Sequence, residues 1–272
     1  MSATDGHPAS IAAPVEPDEA RDSHAGKGLQ RAMRIIFAVA HSGQRDVGVT
    51  ELARSLGLGK AVVHRVVRTL TESGFFEYDP ATRRYRLGPG ALSIGLAATA
   101  RLDVADPARP YLEEMVADTG ETAALSMRCG DQRMYVSQVL SPSEFRMSVP
   151  IGGMFPLHVG ASSKAILAAL PDAEIEAYYD RQFDGFVTIM SKAGLLAEMR
   201  RTRRRGYLAT KGERQLDAGS VAAPVFDGTG RVFGCMSICI PLARMRDDLI
   251  ERYGQLVGHA TRELSTRLGH HA

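Results

Sequence analysis

From residue 29 onward the apolar side chains fall at Leu29, Ala32, Met33, Ile36 and Ala40, the spacing of a helix with one buried face, and Gly43 ends it. Thr50 offers an N-cap for a short helix through Leu56 that buries Leu52 and Leu56. Gly57-Leu58-Gly59 forms a tight turn, and residues 60–73 form a third helix that stops at Gly74. In that helix Val63, Val66, Val67 and Leu70 share one face, while Ala61, His64, Arg65 and Arg68 share another. The period then falls to two. Residues 75–78 and 83–87 read as hairpin strands around Asp79-Pro80-Ala81-Thr82. Residues 29–88 therefore predict a helix, a helix–turn–helix and a β-wing.

Beyond the wing, residues 91–101 read as a connecting helix and 106–119 as another, with Pro107 near its first turn. Strands are expected over 123–128, 134–140, 145–149, 220–226 and 231–240. Asp227-Gly228-Thr229-Gly230 marks the last pair as a hairpin. Helices are expected over 161–170, 172–179, 192–205 and 245–268. Strands and helices mix without strict alternation, so the fold class is α+β. The expected division is a tail at 1–27, a winged helix–turn–helix at 28–90, a linker helix at 91–105 and a second domain at 106–270.

Charge sharpens this picture. The net charge of +2 is unevenly placed: residues 1–27 carry −3, residues 28–88 carry +5, and the remainder is neutral. The basic excess falls on the helix–turn–helix, a footprint of polyanion binding. The first 27 residues are rich in Ala, Pro, Asp, Ser and Gly, too poor in apolar bulk to offset chain entropy, and predict a disordered tail. Hydrophobic residues make up 44% of the chain and charged ones 24%, which excludes a fibrous or wholly disordered chain. No run approaches the roughly 18 apolar residues of a membrane span, and the N-terminus lacks the pattern of a signal peptide. Cys129, Cys235 and Cys239 give neither a disulfide framework nor a zinc motif. No metal or cofactor is expected, and a cytoplasmic location is.

A helix entering the major groove needs an apolar face to hold it on its domain and a polar or cationic face to read DNA. Residues 60–73 meet both needs. Arg65 and Arg68 point outward together, and arginine's planar fork suits guanine or phosphate. Arg83 and Arg84 sit at the wing tip, within reach of an adjacent groove or backbone. The candidate DNA contacts are Lys60, Ala61, His64, Arg65, Arg68, Arg83 and Arg84.

The blocks GLQRAMRIIFAVA (28–40), TELARSLGLGKAVVHRVVRTLTESGFFEYDPATRRYRLGPGALSIG (50–95), FRMSVPIGGMFPLHVGASSKAILAALP (145–171), RRRGYLA (203–209) and SVAAPVFDGTGRVFGCMSICIP (220–241) stand in an order and spacing that resemble the isocitrate lyase regulator (IclR) family of bacterial transcription factors. The resemblance covers about residues 28–268. It implies a linker helix between the winged domain and a GAF/PAS-like effector domain, and a dimer or tetramer on near-palindromic operators. One departure is at the start of the recognition helix, where the family usually has Ser-Thr and this chain has Ala61-Val62.

A second constellation runs from a loop into a helix at Phe155–Lys164. Gly160 and Ala161 leave backbone N–H groups accessible at the helix start, and Ser162 adds a hydroxyl, which together suit a carboxylate. Cys235 and Ser237 share one strand face, and Asp217 and Ser220 precede or open the adjoining strand. By resemblance Leu157, Gly160, Ala161, Ser162, Asp217, Ser220, Cys235 and Ser237 match the family's effector-binding positions. The implied partners are double-stranded DNA and a small carboxylate, with no membrane. A catalytic reading would pair Cys235 with His158, but no third orienting group is evident and the chain is not expected to be an enzyme. An unregulated architectural DNA binder would leave the second domain without a role. The run Arg200–Arg205 reads as the solvated C-terminal end of a helix.

Overall fold

A computed structural model of the protein describes residues 24–42, 44–99, 104–183 and 191–271. The chain divides into two compact units, Met1–Ala97 and Ala98–Ala272. Most of the expected tail lies outside the described residues. Its last four residues do not follow the expectation, because the first helix, α1, spans His24–Ala40.

In the first unit, α2 (Val49–Leu56) and α3 (Lys60–Glu72) form the helix–turn–helix. Gly57 closes α2 in the left-handed region at φ 64°, which a residue without Cβ adopts freely. The N-cap of α2 is Gly48, not Thr50, and it makes no side-chain cap bond. The wing is a hairpin of β1 (Phe76–Asp79) and β2 (Arg84–Leu87), and α4 (Pro89–Thr99) follows it. The end of the expected connecting helix lies outside the described residues. The core gathers Ile35, Val39, Leu52, Val63, Val67, Phe76 and Tyr85. This corrects the expected buried face of α1. Ile35 and Val39 take the core, while Leu29, Met33 and Ala40 are exposed. The helix carries apolar residues on two faces, and spacing alone chose the wrong one.

In the second unit, α5 (Ala105–Thr119) leads into an antiparallel sheet ordered β5-β4-β3-β8-β7-β6 among the described residues. Its strands are β3 (Thr122–Cys129), β4 (Gln132–Val139), β5 (Met154–Pro156), β6 (Leu208–Lys211), β7 (Ala218–Phe226) and β8 (Val232–Pro241). Helices α6 (Ala161–Ala168), α7 (Asp172–Phe183) and α8 (Lys192–Arg205) lie in the β5–β6 connection, and α9 (Asp247–Arg267) closes the chain. The two-residue period sorts β7 and β8 cleanly. Val221, Ala223, Val225, Met236, Ile238 and Ile240 pack on α5 and α9, and Ala222 and Cys235 pack on the α6–α8 side.

Two strand expectations change. Residues 145–149 are not a strand. The Gln138 side chain takes the ladder's place, donating to Val149 O at 3.1 Å and accepting from Val149 N at 3.0 Å. The third strand on that edge is β5 instead. Strand β6 was not expected at all, since its four residues are too few to show a period.

Candidate functional site

Helix α3 turns Val63 and Val67 into the core, which leaves Lys60, Ala61, His64, Arg65 and Arg68 exposed on the opposite side. With Val49 these five residues line an open groove of about 500 Å³. Lys60, His64 and Arg65 have no side-chain partner among the described residues, so their donors face solvent. Arg68 makes an exposed pair with Glu72 at 3.4 Å, weak enough for a phosphate to displace.

The wing separates its two arginines. Arg83 is exposed at the hairpin turn in a left-handed conformation, φ 55°, unusual for a residue with Cβ. Arg84 turns inward. It donates to Asp46 O at 2.9 Å and Gln44 Oε1 at 2.9 Å, and meets Glu51 Oε2 at 3.0 Å. It ties the wing to α2, which corrects the expectation that it grips DNA.

The effector constellation is only partly brought together. Gly160, Ala161, Ser162 and Ser220 line one small cavity of about 30 Å³. Leu157, Cys235 and Ser237 are fully buried outside its lining. Asp217 is exposed and also outside it, its carbonyl accepting from Leu242 N at 2.7 Å. The helix start is not open to an anion as expected. Gly160 N donates to Glu213 Oε2 at 3.0 Å, and Ala161 N donates to Thr210 Oγ1 at 3.0 Å. Glu213 also binds Lys164 Nζ at 2.9 Å, and Glu198 does so at 3.2 Å. Burial alone would lower the Lys164 ammonium, but the two carboxylates outweigh it and hold its pKa above the ordinary value.

Sequence reasoning missed the cavity's strongest group. Arg133, on β4, is buried to 1% exposure and lines the cavity together with Tyr135, Arg214 and Cys239. It donates to Ser163 Oγ at 2.8 Å, Ser126 Oγ at 3.1 Å and the Tyr135 hydroxyl at 3.0 Å. The parity that selected Cys235 and Ser237 continues to Cys239, and Arg133 shares parity with the buried Tyr135. Those two alternations were the available signals. Ser220 Oγ is buried, and the group beside it across the strand pair is the Cys239 thiol, a weak hydrogen-bond partner.

A larger cavity of about 470 Å³ lies between α6, α8, β7 and α9. Its buried hydroxyls are already used locally: Thr202 on Glu198 O, Thr261 on Gly258 O and Ser265 on Thr261 O. Unsatisfied chemistry, not size, marks the smaller cavity as the candidate ligand site.

Neither member of the Cys235–His158 pair is set up for catalysis. Burial pushes the Cys235 thiol up to about 11, and its hydrogen-bonding neighbours are the Ser162 and Ser126 hydroxyls. His158 has Nδ1 2.6 Å from the Tyr178 hydroxyl, and burial followed by the Lys164 charge holds its pKa below the usual range. Three arginines of the Arg200–Arg205 run serve the fold: Arg200 and Arg203 bind Asp172, Arg203 also caps carbonyls of Ala168 and Leu170, and Arg205 lies over Tyr207. No described helix is long and apolar enough to cross a membrane.

Comparison with known proteins gives two matches that together span most of the chain. Residues 28–80 match the IclR helix-turn-helix domain, and residues 96–266 match the C-terminal domain of the bacterial transcriptional regulator IclR. The transcriptional regulator BhcR of Paracoccus denitrificans is 32% identical, covering 90% of this chain and 88% of its own. The regulator KipR of Bacillus subtilis is also 32% identical, over 90% of this chain and 98% of its own. A crystal structure of an IclR transcriptional regulator from Alicyclobacillus acidocaldarius superposes with a TM-score of 0.74 at 27% identity, over 89% of this chain and 99% of that one.

Proposed function

Since the chain belongs to the IclR family of bacterial transcriptional regulators, we propose that it binds operator DNA as a dimer or tetramer and that a small organic acid in its C-terminal unit modulates that binding. It regulates transcription by binding DNA and is not an enzyme. Residues 28–90 read the operator, 91–105 connect, and 106–270 bind the effector, in the cytoplasm.

One observation carries the reading: α3 holds Lys60, His64 and Arg65 exposed and unpartnered directly behind a buried valine face. Any amphipathic surface helix buries one face; what favours a groove-docked helix is that the exposed face of α3 is cationic and that α3 is the second helix of a helix–turn–helix. Arg68 and Arg83 extend the cationic surface. Ala61 stands where the family usually carries a hydroxyl, and its methyl suits a thymine methyl.

The oligomer has its own support. Leu29, Met33 and Phe37 are exposed at successive helical turns of α1, and Leu92, Ile94 and Leu96 are exposed on α4. Apolar surface of this extent is what a second copy would cover. Two copies present two α3 helices to half-sites about one helical turn, roughly 34 Å, apart.

The test is fluorescence anisotropy of the full chain with duplexes enriched from a random pool. The reading expects a two-fold-symmetric site whose affinity falls linearly with the logarithm of salt concentration. A pool that stays unenriched would overturn it.

A further inference from the structure

We propose that Arg133 is the anchor of the C-terminal ligand site, and that the ligand is a short carboxylate supplying the counter-charge this guanidinium lacks. The inference rests on the effector-binding reading above and moves its anion from the start of α6 to the end of the Arg133 side chain.

Arg133 is 1% exposed, yet every hydrogen-bond partner it has is neutral: Ser163, Ser126 and Tyr135. The rings of Tyr135 and Phe155 lie 4.1 and 5.0 Å from its guanidinium carbon. No carboxylate forms an ion pair with it among the described residues. Comparable cations in this unit are neutralised. Lys164 has Glu198 and Glu213, Arg244 grips Glu121 with both nitrogens at 2.6 and 2.7 Å, and Arg128 meets Glu174. A buried charge without its counter-ion carries a large desolvation cost. Among the described residues Arg133 carries that cost without a counter-ion, and it opens into a cavity.

Donor count agrees. A guanidinium carries five N–H donors, and the three bonds above use three of them, which leaves two for a carboxylate. Across the cavity lining stands Ser220 Oγ, buried beside the weak hydrogen-bonding Cys239 thiol and ready to meet a second polar atom of the ligand. The backbone amides of Gly160 and Ala161 cannot serve, because Glu213 and Thr210 already hold them. The available volume, about 30 Å³, admits only one or two water-sized groups, so the ligand is short.

The test is thermal unfolding of the full chain in formate, the smallest carboxylate, against its neutral analogue formamide at equal concentration and ionic strength. Formate raises the Tm of the wild type and formamide does not, by mass action on the folded state. Arg133→Met loses the formate shift. Arg133→Lys, which keeps the charge but not the fork, needs about tenfold more formate for the same shift. If Arg133→Met does not fold, the lysine variant alone decides. A formate shift unchanged in either variant, or no shift in the wild type, overturns the proposal. Operator affinity is read on the same samples. An Arg133-dependent formate shift with no change in operator affinity leaves the anchor standing and contradicts the effector reading instead.

Discussion

At the scale of single residues, the sharpest contrast is between arginines that look alike in the sequence. Arg65 is exposed on the outer face of α3 with its donors facing solvent, whereas Arg84 is held by Asp46, Gln44 and Glu51. Arg65→Ala should weaken operator binding by about 1–3 kcal/mol if it grips a base, with the unfolding midpoint unchanged. Arg84→Ala should instead lower stability, by about 1 kcal/mol, since a half-exposed ion pair contributes modestly. Chemical denaturation and anisotropy on the same two variants separate these roles. Cys235 makes a prediction in pH. Its thiol is raised to about 11 from an ordinary 9.0 by burial, so the folded state holds a proton that the unfolded chain releases first. Stability from this group is complete below pH 9 and is lost as pH rises toward 11, by on the order of 2–3 kcal/mol. Cys235→Ala should lack that loss in denaturation series at pH 8 and 10. An equally steep loss in the variant would contradict the assignment.

At the scale of elements, legibility followed periodicity. The helix–turn–helix, the wing and the β7–β8 hairpin were readable because each couples a clear period to a turn signal, such as Gly57 or Asp227-Gly228-Thr229-Gly230. The misses had physical causes. α1 is apolar on two faces, so spacing could not say that Ile35 and Val39, not Leu29 and Met33, are buried. Residues 145–149 look like a strand, but Gln138 satisfies their backbone from the side. Removing that substitute is informative: Gln138→Leu should speed amide exchange at Val149 and leave the β3–β8 pairs protected. Close strand packing sets another limit. A Cβ at Gly234 would lie 1.9 Å from Ser126 O, a backbone atom with nowhere to go. Gly234→Ala should therefore cost at least about 1–3 kcal/mol of stability, read by urea denaturation, and a neutral result would mean that β3 and β8 part easily.

At the scale of the whole molecule, the exposed cationic face of α3 and the cavity around Arg133 fall in separate compact units, and the sequence disclosed them unequally. The exposed face of α3 was legible in the sequence, because a helix displays its outer residues at fixed spacing. The cavity was not, because it assembles from β4, α6, β7, β8 and the 210–215 segment, and no local pattern joins Arg133 to Ser220. Glycine and serine at a helix start suggested an anion seat that Glu213 in fact occupies. Coupling between the units needs a ligand that binds the DNA-competent arrangement with a different affinity from the free one. The most direct test is operator anisotropy of the full chain at fixed salt, with and without a panel of short carboxylates, in wild type and Ser162→Leu. The account predicts that at least one acid changes wild-type operator affinity and that the variant, its cavity filled, binds DNA normally but no longer responds. An operator affinity that no acid in the panel alters, or a response that persists in Ser162→Leu, would contradict it.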